Sequence, residues 1–457
     1  MTTGRSTHLE RRIHADSAMS ESASSSVVDV DVDAVIVGAG PAGSSAAILL
    51  ARAGWSVALV ERQRFPRRKV CGECISASNL PLLDALGLGA AIDAQAGPPL
   101  RRVALMRGDR TVVADLPAAA SAPHRWGRAL GRETLDTLLL EQARAAGVAI
   151  WQPWSVQALD GGADGWQCRL RGIDTTATVT LRASVAIAAH GSWERLPSER
   201  PADRGPRKAS DLLAFKANFC GARLAPGLLP VLSFDGGYGG MVVADGGVTT
   251  LAGCIRRDRL DALRRDSPGL RAGDAFEALL KRDCRGVRDA LAGAQRDGHW
   301  LAAGPLDPGL RVTGDDALFR IGNAAGEAHP IIGEGISMAL QSAWLLCGHL
   351  LDPAVRKQMD DANVQRRIAA RHAAQWRREF MPRLRLAAAF AHAAMRPASA
   401  AALLGIVARW PCLLTRGARW GGKVRCAADP ATIVALAHGS ASFSSRAVDA
   451  ALISHSP

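Results

Sequence analysis

Three glycines and one acid carry the clearest chemistry in the chain: Gly38, Gly40 and Gly43 in VGAGPAG, and Glu61, 23 residues after Gly38. The G-x-G-x-x-G spacing gives each glycine its own work. Gly38 permits a tight turn, Gly40 lets the backbone approach a pyrophosphate, and Gly43 lets the following helix lie close on a sheet. Ala39, Pro41 and Ala42 complete the loop, and Pro41 sits where a helix needs no amide donor. The free N–H groups of that first turn then face phosphate oxygens. Glu61, followed by Arg62, stands where a carboxylate accepts both hydroxyls of an adenosine ribose and repels a 2′-phosphate. Such a set holds a dinucleotide. FAD and NAD(H) share the adenosine half, so both satisfy it.

Other residues could do chemistry beside a bound dinucleotide. Cys71 and Cys74 form a C-x-x-C, which reads either as a redox-active dithiol or as two separate thiols; no thioredoxin-like context surrounds them. No second Cys/His pair has ligand spacing, so no metal site is expected. Tyr238 is the one tyrosine of the chain and limits phenol-based proton transfer to a single candidate. His329, just before Pro330, is a candidate proton donor. Cys71, Tyr238, His329 and Pro330 are therefore the candidate catalytic positions, each with a purely structural reading beside it. Glu73 reads equally as a positioning group or a solvated loop acid.

These residues need elements to hold them. Asp29–Val37 is a β-branched run suited to a buried parallel strand, Pro41 opens a helix that Gly54 stops, and Val57–Val60 is a second strand. Asn79–Leu86 reads as a short helix, Arg102–Leu116 as strands turning at Gly108-Asp109, and Arg132–Ala146 as a long helix. Val148–Ile187 suggests several strands, the last running into His190-Gly191-Ser192. Leu212–Ile255 is strand-like, Ala275–Leu280 helical, Leu318–Ile321 a strand and Gly335–Leu351 a long helix. The fold class is α/β: a Rossmann-like FAD-binding or NAD-binding domain with an inserted β-rich substrate domain and a helical C-terminal region. The expected segments are an N-terminal extension at 1–27, a discontinuous nucleotide domain at 28–95, 128–196 and 301–352, a substrate domain at 96–127 and 205–300, and a basic helical region at 353–457. The charged, Pro-containing stretch Pro197–Arg207 reads as a crossing between domains.

At 457 residues two or three domains are expected. Nine scattered cysteines do not resemble a secreted disulfide framework, which favours a reducing cytoplasm. The first 27 residues are polar and Ser-rich, without the apolar core of a signal peptide, and Met19 is an alternative start. The net charge of +13 is local: Ala354–Cys426 holds fifteen Lys and Arg against three acids. That segment clusters Leu384, Leu386, Phe390, Leu403, Leu404, Ile406, Val407, Trp410, Leu413 and Leu414. It suggests peripheral contact with an anionic membrane, against the bland reading of a solvated arginine-rich helical domain. No nucleic-acid-binding motif accompanies the charge, so no nucleic acid partner is expected.

Four further segments carry a resemblance: RKVCGECIS (68–76), GRETLDTLLLEQARAAG (131–147), AAHGSW (188–193) and RIGNAAGEAHPIIGEGISMALQSA (320–343). With the glycine loop they make the chain resemble the FAD-dependent superfamily that contains para-hydroxybenzoate hydroxylase, geranylgeranyl reductase and the flavin halogenases. The resemblance implies non-covalent FAD lying between the two domains, and NAD(P)H as a donor with no Rossmann domain of its own. It adds Cys71, Arg132, Gly322, Asn323, Gly333, Gly335 and Ile336 to the cofactor-binding set, with Arg132 reaching the flavin side of the pyrophosphate. The chain departs from the family at His190 and Asn323, where Asp is usual. An Asn keeps an acceptor oxygen for a ribitol hydroxyl and loses the charge.

Flavin carries the redox chemistry while the protein orients and excludes water. Two enzymatic readings compete: an O₂-dependent monooxygenase acting on a lipophilic aromatic or polyketide-like substrate, and a reductase of prenyl-type carbon–carbon double bonds. The Cys71-Gly72 loop resembles both branches, and the reductase pattern Tyr-x-Trp-x-Phe-Pro is absent after Tyr238. The Trp-x-Trp-x-Ile-Pro signature of halogenases is also absent. A third reading is a membrane-docked flavin redox sensor or electron carrier.

Overall fold

The computed structural model describes residues 28–120, 124–162, 165–192, 194, 196–197, 207–314, 317–359 and 361–438. The N-terminal extension, Trp193 and most of the expected inter-domain crossing lie outside the described residues. The chain opens with β1 (Val28–Val37), α1 (Pro41–Arg52) and β2 (Val57–Val60). Then come β3 (Cys74–Ile75), α2 (Leu80–Ala85), α3 (Gly89–Gln95), β4 (Arg102–Arg107), β5 (Arg110–Asp115), β6 (Arg128–Ala129) and α4 (Arg132–Ala145). Strands β7 (Ala149–Trp151), β8 (Trp154–Gly162), β9 (Gly165–Gly172) and β10 (Thr178–Ala188) finish the first half. The second half runs β11 (Leu212–Cys220), β12 (Leu228–Phe234), β13 (Gly237–Val243), β14 (Thr249–Arg256), α5 (Arg257–Asp266), α6 (Ala272–Asp283), α7 (Arg285–Ala290), β15 (Gln295–Ala303), β16 (Gly309–Leu310), β17 (Phe319–Arg320), β18 (Gly326–Glu327) and α8 (Gly335–Leu350). Helices α9 (Pro353–Arg356), α10 (Ala362–Met395), α11 (Pro397–Arg409), α12 (Cys412–Gly421) and α13 (Pro430–Ala437) close the described chain.

One sheet has the order β7-β2-β1-β10-β9-β8, with β17 also on β10. Strands β7, β2, β1, β10 and β17 are mutually parallel, and their register decides where ligands can bind. Val37 stands opposite both Val60 and Ala188, and Ala188 stands opposite Arg320. The loops that begin at Gly38, Glu61, Ala189 and Ile321 therefore leave one carboxyl edge, the place where open α/β sheets hold nucleotides. Continuous burial of Ala34–Val37 and Val57–Val60 explains why these strands lack polar alternation. Helix α1 packs against α8 and α4, and its apolar Ile48, Leu49 and Leu50 share one core with Leu340 and Trp344.

The second sheet has the order β15-β11-β14-β13-β12-β4-β5. Strand β15 runs across the expected boundary at 300/301, so this sheet keeps residues up to Ala303. Alternation sorts its two faces. Phe215, Ala217 and Phe219 of β11 face the back, where Phe276 stacks on Phe215 and Trp300 meets Phe219 edge-on under α5–α7. Leu212 and Ala214, with Tyr238 and Cys254, face the front and pack on Ala391 and Ala394 of α10.

Part of the apolar set in the C-terminal helices is packed into the molecule's interior. Trp376, Phe380 and Leu384 of α10 pack on Met338 and Leu345 of α8, and Leu404 and Val407 of α11 pack on Leu105 of β4. Among the described residues no single helix is long and apolar enough to cross a bilayer; α10 and α11 reach that length only as a pair bent by 107°.

Candidate functional site

At the glycine loop, Gly38 has φ +105° and its amide donates to Val60 O at 2.7 Å. A Cβ on Gly43 would sit 1.9 Å from the Gly38 carbonyl oxygen, so helix and loop touch as closely as backbone allows. Glu61 is buried; one carboxylate oxygen accepts from the Ala39 amide at 3.0 Å and the other from the Gln63 amide at 2.8 Å. Each oxygen keeps a lone pair for a ribose hydroxyl. Ala42 and Pro41 are buried in α1, while Arg62 is exposed.

Three cations converge on this loop. The Arg132 guanidinium holds Asp136 at 2.7 and 2.6 Å, one turn along α4, and lies 3.7 Å from where a Cβ on Gly40 would stand. Arg67 spans Glu61 at 3.5 Å and Asp136 at 3.6 Å, and its buried Nε has no partner. Lys69 Nζ lies 3.4 Å from the Cβ position of Gly191. Burial, then Arg132 and Arg67, push the Lys69 ammonium down to about 8. Burial opposes the charge on Arg132, but Asp136 outweighs it and holds the guanidinium above its ordinary range. A positive centre of this kind fits a pyrophosphate. Arg67 lies outside every quoted motif, and Lys69 stands inside RKVCGECIS without anything local that marks either cation as convergent.

The other end of the cleft is built at Gly322 to Ile336. Gly322 takes φ +59° and its amide donates to Ser342 Oγ at 2.7 Å. Asn323 Nδ2 donates to Ser192 Oγ at 2.7 Å, which joins this segment to the His190-Gly191-Ser192 turn; an Asp there could not donate. Gly333 is left-handed, and Gly335 opens α8 with no heavy atom within 4 Å of an added Cβ. Ile336 is buried, and the buried Ser337 Oγ has no partner, a polar atom of the kind a bound group satisfies. The N-terminus of α8 favours negative charge at this open position. The cradle at Gly40, the three cations and the open Gly335 fit the two ends of FAD.

Lys423, just beyond α12, enters the same corner. Its ammonium donates to Gly333 O at 3.1 Å and pairs with Glu334 at 3.0 Å, beside Cys74 Sγ at 3.5 Å. Burial pushes the Cys74 thiol up, and although burial opposes the lysine's charge, Cys74 and Glu334 hold Lys423 above its usual range. The ion pair with Glu334 fixes the ammonium in this corner. A narrow pocket opens next to it, lined by carbon from Leu100, Leu116, Pro117 and Leu229.

Cys71 and Cys74 are both free thiols and have different hydrogen-bond neighbours. Cys71 is half-buried near Arg132 and accepts from the Glu73 amide at 3.3 Å. Tyr238 and His329 are brought together: Tyr238 Oη lies 3.1 Å from His329 Nδ1, both buried. Burial, aided by Cys254, raises Tyr238 well above its ordinary value, and burial with His392 lowers His329 to about 4. The His392 ring lies 5.7 Å from that of His329 and is exposed. Pro330, exposed, opens the short 3₁₀ turn that leads to Gly333.

Glu73 is not a solvated loop acid. It is 2 % exposed, at φ +57°, pairs with Lys216 of β11, accepts from Thr250 of β14, and takes the Arg132 amide at 3.1 Å. One carboxylate thereby locks the second sheet to the start of α4.

Residues 31–226 match the family described as FAD binding domain. That segment carries an FAD binding domain of this family. The chain is 24 % identical to tryptophan 2-halogenase of Chondromyces crocatus over 68 % of its own length and 59 % of the halogenase. It is 48 % identical to menaquinone reductase of Mycobacterium tuberculosis over 14 % of its length and 15 % of that protein. It is 26 % identical to 6-methylpretetramide 4-monooxygenase of Streptomyces rimosus, covering 80 % of this chain and 88 % of the monooxygenase. The chain spans less than two thirds of the first two of these relatives. The myxobacterial chondrochloren halogenase shares its fold with a TM-score of 0.66 at 18 % identity, over 90 % of this chain and 97 % of that one.

Proposed function

We propose that this FAD-dependent oxidoreductase is a monooxygenase that takes electrons from NAD(P)H and hydroxylates a lipophilic aromatic or polyketide-like substrate, held between the two sheets. Bound FAD supplies the electron transfer and oxygen chemistry. The observation that carries the reading is the Tyr238–His329 pair on the front of the second sheet, followed by His392 at the surface. An aromatic hydroxylation is promoted by removing a proton from the substrate's hydroxyl. Burial holds His329 neutral at pH 7 and Tyr238 protonated, so the hydrogen-bonded pair can relay a proton between the substrate's hydroxyl and the surface at His392. The match along most of the Streptomyces monooxygenase supports the same reading. An anionic membrane is the proposed peripheral partner and the cytoplasm the proposed compartment.

Purified protein with FAD is assayed for NADPH and NADH oxidation with phenolic lipids, polyketide-like phenols and prenyl lipids, in air, without oxygen, and with added halide. Substrate-stimulated, oxygen-dependent turnover giving a hydroxylated product is expected. Oxygen-independent reduction of an alkene, or halogenated product, overturns hydroxylation, as does the absence of any substrate-stimulated turnover.

A further inference from the structure

Between Glu379 and Asp429 the chain has no acidic side chain and eight cationic ones. Part of that charge is spent inside the fold: Arg383 is buried against Gly422, and Lys423 is committed to Gly333 and Glu334. Arg385 lies on α10 and Arg425 pairs with Glu379 at 3.0 Å, while Arg409, Arg416 and Arg419 collect on the corner formed by α11 and α12. On α12, Cys412, Arg416, Arg419 and Trp420 fall within about a third of a turn of one another and are all exposed, whereas Leu414 and Ala418 face inward. Helix α11 adds Ile406 and Arg409 at its exposed end, and Trp410 follows with Arg409 over its ring at 5.8 Å. Three of the few large apolar side chains left in solvent lie here: Ile406 at 46 %, Trp410 at 53 % and Trp420 at 65 % exposed. Two exposed tryptophans interleaved with arginines, and no acid among them, are a poor surface for water and a good one for the headgroup region of an anionic bilayer. A second copy of the chain would bring the same positive charge against it.

The inward side of α12 matters as much. Leu414 and Ala418 pack with Leu100, Leu116, Val103 and Cys74, and Thr415 Oγ1 anchors the helix to Asp115 O at 2.6 Å. Leu100, Leu116 and Cys74 also line the narrow pocket beside Lys423. One helix, about 10 Å thick, therefore separates the Trp/Arg surface from a pocket that adjoins the Gly333 corner. We infer that the α11–α12 corner is a membrane-docking face for anionic lipid and that α12 is the roof through which a lipophilic substrate passes from the bilayer to the pocket. The entry route rests on the proposed lipophilic substrate; the docking face does not.

The test uses full-length FAD-loaded protein and vesicles of phosphatidylcholine with or without one third phosphatidylglycerol, read by co-sedimentation. Wild type is expected to bind the anionic vesicles, with binding lost in high salt. An arginine near an anionic surface contributes roughly fivefold, so R409Q/R416Q/R419Q is expected to weaken binding by about 100-fold, and W410S/W420S to weaken it on both vesicle types. Retained FAD absorbance shows that the variants fold. No binding of wild type, undiminished binding in both variants, or a concentration-dependent dimer that the variants abolish overturns the docking face. Vesicle binding and turnover are read separately, so failure of the proposed hydroxylation leaves this result standing. If docking holds, delivery of substrate in anionic vesicles should raise its turnover by wild type and leave R409Q/R416Q/R419Q unchanged; an equal response in both overturns the entry route.

Discussion

The two ends of the cofactor cleft are built by opposite strategies. At the adenosine end, Gly38 to Gly43 and Glu61 come from one strand-helix-strand unit, and backbone geometry does most of the binding work. At the far end, Glu73, Lys216, Tyr238, His329, Glu334 and Lys423 come from five distant pieces of chain and are held by buried charge and hydrogen bonds. A local unit tolerates change around it but not within it. An assembled corner tolerates change only when charges are replaced in matched pairs.

The largest expected effect breaks the local unit. Gly43→Val would drive side-chain carbon into the Gly38 carbonyl, and the FAD recovered with the purified protein should fall below detection, read from the flavin absorbance. Next comes the assembled corner. Lys216→Met strands the buried Glu73 carboxylate and should destabilise the protein by about 3–5 kcal/mol in a denaturant titration, with the Glu73→Gln/Lys216→Met pair recovering most of it. If the double variant is no better than the single, the lock is not the ion pair.

A smaller effect separates chemistry from binding. Tyr238→Phe should lower kcat about 100-fold with FAD content unchanged, and His329→Gln should do the same; loss of FAD in either would place the pair in cofactor binding instead. The smallest effect is a pH dependence at the adenosine end. Lys69 ionises near 8 in the folded protein against a higher value when unfolded, so its unpaired charge costs stability below pH 8. Between about pH 8 and the unfolded lysine value of about 10.4, the unfolded chain binds more protons and the stability of the cofactor-free protein should rise. FAD, being anionic there, favours the protonated lysine. Its affinity should therefore fall as pH rises above 8, with up to one proton taken up on binding, and Lys69→Met should flatten the profile in a calorimetric titration.

The contrast also marks what one sequence can and cannot disclose. The glycine loop, Glu61 and the Gly322–Gly335 segment are legible because turn geometry and strand–helix alternation are written within thirty residues. The Tyr238–His329 pair was legible only as two separate candidates, since nothing in the chain says that positions 91 residues apart touch. Glu73 was open between two roles, because burial of a loop acid depends on Lys216, 143 residues away. The C-terminal charge was legible as a total. Which arginines face outward was not, because α11 and α12 bury one side against β4 and β5, and their helical period alone does not name that side.

Lys423 gives the chain an order of assembly. Until the ribosome has released residue 423, Glu334 is a carboxylate without its counter-charge at the mouth of α8. Everything else at the cofactor cleft has been synthesised some eighty residues earlier. The corner beside Gly333 should therefore reach its final geometry only when the last helices dock, so that cofactor loading waits for nearly complete synthesis. A truncation near Asp352, however convenient for removing the basic region, removes that final piece with it.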